Sequence, residues 1–168
     1  MSLTTYCEFD EVRSALGVND LELKDSVLTL PVYEMGLVRE LNKISTSLTA
    51  AFSSIVAKSL TSRTENESAL YDSVHLFAVY AVARQVGVSL PVFAPKDVGD
   101  GKATVSRFAG EPFKATLDGV DSYYQVAREG LRQALEVYEG STATAAASLT
   151  PATLFKASTR TYDPITGA

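Results

Sequence analysis

His75 is the single imidazole of a 168-residue chain. A lone histidine acts as a general base or metal ligand only when a second polar group orients it. Asp72 stands one helical turn earlier, so an i, i+3 hydrogen bond would satisfy a half-buried His75 and leave it structural. Asp118 and Asp121 repeat at the same spacing and are the carboxylate types that acid and base catalysis needs, but on the polar side of a helix they read as solvated charge. Gly99-Asp-Gly-Lys-Ala-Thr104 offers the glycine amides and lysine that cradle phosphate. A phosphate loop also needs a glycine four residues upstream of its Gly-Lys pair and a hydroxyl directly after it, where this chain has Lys96 and Ala103. Asp97-Val-Gly-Asp-Gly lacks the third ligand and distal glutamate of a calcium loop. The single Cys7 excludes an internal disulfide and a multi-cysteine zinc site. The residues therefore give no catalytic set, no metal set and no cofactor.

The elements that would position these groups read as helices. Phe9, Val12 and Leu16 recur at helical spacing, with Thr4 and Thr5 as N-caps and Gly17 as the stop. Asp25 caps a second region, Val27 to Ile44, which Pro31 interrupts before restarting it as a first helical residue. Ser45 or Thr46 caps a third helix through Leu48, Phe52, Ile55 and Leu60. From Glu67 to Gln85 apolar residues lie on every side, which predicts a buried central helix ended by Gly87. Leu90 to Lys102 holds two prolines and two glycines and reads as an extended loop, with Gly99, Asp100 and Gly101 as a hinge that reverses the chain. From Ala103 to Glu139 the period is helical again. Phe113, Leu117, Val120, Tyr124, Ala127, Leu131, Leu135 and Tyr138 form one face, and Pro112 separates a short first section, Ala103 to Ala109, from the main helix. The polar face carries both signs: Asp121, Glu129 and Glu136 against Arg128 and Arg132. These five residues are the expected subunit interface.

The expected fold class is all-α: a helical bundle with a buried central helix, a long C-terminal amphipathic helix and an extended C-terminal tail. Residues 1–140 form the bundle and 141–168 the tail. The chain is 46% hydrophobic with a net charge of -5, the wrong sign for a dedicated phosphate-backbone binder. Val74 to Ala83, the most apolar run, is half the roughly 20 residues a membrane span needs, and no secretory signal is apparent at Met1 to Glu8. The expectation is a protein that stays inside the cell, away from membranes.

Tyr6-Cys-Glu-Phe-Asp-Glu-Val-Arg-Ser-Ala-Leu-Gly-Val18, Glu22-Leu-Lys-Asp25 and Leu30-Pro-Val-Tyr33 resemble the start of tailed-bacteriophage head-to-tail adaptor (connector) proteins. Leu90-Pro, Ala94-Pro-Lys-Asp97, Asp100-Gly-Lys-Ala103 and Arg107-Phe108, followed by a long tyrosine-containing helix, are similar to the same family's central signature. The resemblance spans most of residues 6 to 139. It implies a non-enzymatic virion subunit made in the host bacterial cytoplasm, assembled as a homo-oligomer, usually a twelve-subunit ring. Such a ring sits between the portal protein and a tail or stopper (nozzle) protein, and DNA passes through it without specific binding. The tail is net +1 by side chains and the body net -6. Leu154, Phe155, Tyr162, Pro164 and Ile165 have too little sequence around them to form a core and, with the basic Lys156 and Arg160, are its expected portal contacts; the alternative is a tail folded back onto its own bundle or onto a sister subunit. The alternatives are a small helical DNA-binding regulator, marked by salt-dependent DNA affinity, and a ligand-binding domain, marked by a pocket with a perturbed titratable group.

Overall fold

The computed structural model describes residues 2–93, 97–99, 104–106 and 112–149, with side chains over 2–89 and 114–143. It is an all-α bundle carrying one small hairpin. The order is α1 (Phe9–Leu16), α2 (Asp25–Leu28), α3 (Pro31–Ile44), α4 (Leu48–Val56), α5 (Glu65–Phe93), β1 (Asp97–Gly99), β2 (Thr104–Ser106) and α6 (Pro112–Leu149). Among the described residues no helix is long and apolar enough to cross a membrane.

Local chemistry explains most boundaries. Gly17 ends α1 at φ 65°, a left-handed conformation in which its amide reaches back to the carbonyls of Arg13 and Ser14. Pro31 opens α3 at its first turn, where a missing N–H loses no helical bond. The cap of α1 is Glu8, in a reciprocal box with Glu11, and not Thr4 or Thr5, which lie in a 3-10 turn. Asp25 is the first residue of α2, one place beyond its cap Lys24. Ser47 precedes α4, which stops at Val56 and leaves Leu60 in a separate exposed 3-10 turn.

Helix α5 is the centre. Leu70, Val74, Phe77, Ala78, Val79, Ala81, Val82, Ala83 and Val86 are all buried on it, and α1, α3, α4 and α6 pack around it. Leu76 at 49% and Val88 at 76% exposed are the exceptions. The helix does not stop at Gly87. It continues to Phe93, through Pro91 in its last turn. Gly87 is a packing residue: a Cβ there would lie 2.4 Å from Leu117 Cδ2 of α6 and 3.3 Å from Leu16 Cδ2 of α1. Its small size lets three helices meet.

The segment after α5 also departs from the reading. Thr104–Ser106, expected within a short helix, is β2, antiparallel to β1 with Val98 opposite Val105 and Gly99 opposite Thr104. Of the hinge, Gly99 is the last residue of β1; Asp100 and Gly101 lie outside the described residues. Pro112 is the first residue of α6, not a kink within it. At its far end α6 runs through Gly140 to Leu149, so 141–149, expected in the tail, are helical. Serine, threonine and alanine lack an apolar period, but a helix that has already run for about eight turns propagates through them at little cost.

Candidate functional site

The face of α6 that looks inward is the one its periodicity selects. Val120, Tyr124, Ala127, Leu131 and Leu135 are buried, with Leu117 and Tyr138 partly so. Phe77 of α5 meets Tyr124 with ring centroids 5.4 Å apart. The edge of this seam nearest α3 is polar and closed. The Tyr124 hydroxyl donates to Glu40 Oε2 at 3.0 Å, and Lys43 Nζ donates to Glu40 Oε1 at 2.5 Å. Arg84 of α5 lies over the Tyr124 ring, 4.9 Å from its centroid, with its Nε 2.7 Å from Asp121 Oδ1. Burial raises the Glu40 carboxyl, but hydrogen bonds from Lys43 and Tyr124 outweigh it and hold the carboxyl below its usual range. Burial first, then the bond to Glu40, raises the Tyr124 hydroxyl. This network fixes α3, α5 and α6 against one another.

The opposite edge is open and apolar. At 100° per residue, Tyr123, Val126, Gly130 and Val137 lie on the side of α6 away from Tyr124, Asp121 and α3. Tyr123 is 60%, Val126 67% and Val137 56% exposed. Tyr80 of α5 stacks on Tyr123 at 5.4 Å, extending the patch toward Leu76. This second stripe was not legible from spacing alone, because glycines and Gln133 interrupt it and the stronger core stripe runs beside it.

Of the five expected interface residues, Glu129, Arg132 and Glu136 are exposed on the solvent side of α6. Arg128 is half-buried, and Asp121 is engaged within the chain by Arg84. Gln133 Nε2 donates to Glu129 Oε1 at 3.5 Å along the helix. The tail residues Leu154, Phe155, Lys156, Arg160, Tyr162, Pro164 and Ile165 lie outside the described residues.

His75 is paired, but not with Asp72. Its Nε2 lies 2.7 Å from Glu11 Oε2 across the α1–α5 groove, a cleft of about 460 Å³ that Asp10, Ser14, Leu76 and Tyr80 also line. Glu11 is raised by burial but lowered more by its bonds with His75 and Glu8, ending below the ordinary value. Tyr71 stacks on the same imidazole at 6.4 Å, so the histidine is held on two sides. Arg13, 7% exposed, ties the loop after α1 to the helix. Its Nε donates to the Leu23 carbonyl at 2.9 Å, and its guanidinium pairs with Asp10 and Asp25. Sequence reasoning missed Arg13 because Leu23 and Asp25 are remote in sequence and no spacing rule links them. Among the described residues no three His, Cys, Asp or Glu side chains are grouped to hold a metal ion. The chain matches no protein-family model, no curated protein and no solved structure.

Proposed function

We propose that the chain is a structural virion subunit, a head-to-tail adaptor that assembles with copies of itself into a ring between portal and tail and lines the DNA exit channel. The observation that carries the reading is α6: a 38-residue helix, about 57 Å long at 1.5 Å per residue, with one face sealed into the bundle and an apolar flank left open. A helix of that form suits a subunit completed by neighbours. The residues between 6 and 139 that resemble adaptor proteins support the same reading. A net charge of -5 suits a conduit wall, since negative charge repels phosphate and lets DNA slide. The portal contact falls to the tail, Leu154 to Ile165.

Binding of the full chain to the portal protein encoded with it tests the reading. The full chain is expected to co-sediment with portal, and a variant lacking residues 150–168 is expected to stay helical and lose portal. A full chain that ignores portal contradicts the adaptor reading; a truncated chain that still binds contradicts only the tail as anchor.

A further inference from the structure

Glycine inside a helix is disfavoured against alanine, so each one needs a reason. For Gly87 the fold supplies it, since a Cβ would press on Leu117 of α6 and Leu16 of α1; at Gly36 a Cβ would meet only the end of the Gln85 side chain. Gly119, Gly130 and Gly140 have nothing within 4 Å of a Cβ position. With exposed Tyr123, Val126, Gln133 and Val137 they make a stripe at alternating three- and four-residue spacing, apolar but for Gln133. Such a stripe is the seam by which a helix receives another helix at short distance. From Gly119 to Gly140 it is about 32 Å long, and exposed Glu129 and Glu136 border it.

The chain carries a matching half. On the outer face of α3, Val32 is 61% and Met35 71% exposed, and exposed Arg39 continues the same spacing with Lys43 beyond it. The two halves cannot meet within one chain. The α3 of the same chain lies against the other edge of α6, through Glu40 and Tyr124, with its Val32 and Met35 face turned outward. A symmetric α6–α6 contact would bring Glu129 and Glu136 of two copies together, like charge on like. An α3 in that place brings Arg39 to them instead, while Lys43 stays with Glu40 of its own chain.

We propose that the open flank of α6, Gly119 to Gly140, receives the outer face of α3 from a second copy of the chain. The contact is heterologous, so its repetition leads to a ring or filament and not to a closed dimer. The inference rests on the ring reading above and names the faces through which that ring closes.

Paired cysteines test it in the full chain. Cys7 is buried, and burial together with the charge of Glu11 pushes its thiol up to about 12, so it gives no background cross-linking. Under mild oxidation Met35→Cys combined with Val126→Cys should give a ladder of multimers. Each single variant should stay uncross-linked, and a mixture of the two singles should stop at dimers. Gly130→Leu should weaken self-association about tenfold or more by forcing the helices apart, while the subunit keeps its helical content. Cross-linking of Val126→Cys alone would overturn the proposal in favour of an α6 pair. A wild-type assembly whose double variant never cross-links would overturn it and leave the ring reading standing. A chain that stays monomeric at every concentration, alone and with portal, would overturn both.

Discussion

Tyr6 sits 1% exposed at the end of an aromatic ladder, stacked on Phe52 at 5.0 Å, with Phe52 in turn 5.5 Å from Tyr71. Its hydroxyl has no hydrogen-bond partner among the described residues. An unsatisfied buried hydroxyl carries a desolvation penalty of about 1–3 kcal/mol, so Tyr6→Phe should leave Tm unchanged or raise it; a marked fall would reveal a partner. The start of α5 is the opposite case, fully satisfied. The Thr64 hydroxyl accepts from the Glu67 amide at 3.3 Å, and Glu67 Oε2 accepts from the Thr64 amide at 3.0 Å, with Lys58 on its other oxygen. Thr64→Ala should lower unfolding stability by about 1 kcal/mol in denaturant titrations. The bonds from Lys58 and Thr64 hold the Glu67 carboxyl below its ordinary value. Its folded pKa is depressed, so its contribution is complete above the unfolded value near about 4.3 and fades as pH falls through the folded value. Glu67→Gln should therefore lower Tm at neutral pH and flatten the acid limb of a Tm–pH curve. The Thr-x-x-Glu spacing of this cap was legible in the letters; the aromatic ladder was not, because Tyr6, Phe52 and Tyr71 meet only in the folded chain.

At the scale of elements, α5 and α6 decide the architecture. Leu131, fully buried on α6, has no solvent-side alternative, and Leu131→Ala should cost about 2–5 kcal/mol. Gly87→Val would press a branched side chain against Leu117 and Leu16, a loss of about 1–3 kcal/mol despite the better intrinsic backbone preference. By contrast Gly130→Ala, facing open space, should stabilise the isolated subunit by about 0.5–1 kcal/mol. The pair of glycines separates a packing role from a surface one in a single thermal-melt series. The inward face of α6, the burial of α5, and the roles of Gly17 and Pro31 were readable from period and capping. The ends of α5 and α6 were not. Local rules make a glycine and a proline stop a helix, whereas here close contact with α1 and α6 explains Gly87, and α5 runs on through Pro91 to Phe93. The Ser/Thr/Ala run after Gly140 has no apolar period to mark it, although its alanines are strong helix formers that extend the helix behind them.

The whole molecule is a bundle with one closed side, where Glu40, Tyr124, Arg84 and Asp121 interlock, and one open side along α6. On the adaptor reading proposed above, two unlike exposed apolar faces suit head-to-tail neighbours, and a net charge of -5 is compatible with a channel that DNA crosses without adhering. The candidate surface was only half legible: its charged members were evident on the polar face of α6, while its apolar members lie beside the core stripe and separate from it only once Tyr124 is seen facing α3. Native mass spectrometry of the full chain, alone across a concentration series and then with the portal protein encoded with it, tests the adaptor claim most directly. The account predicts masses at integral multiples of the subunit and, with portal, a closed ring of fixed copy number. A chain that remains monomeric under both conditions would contradict it.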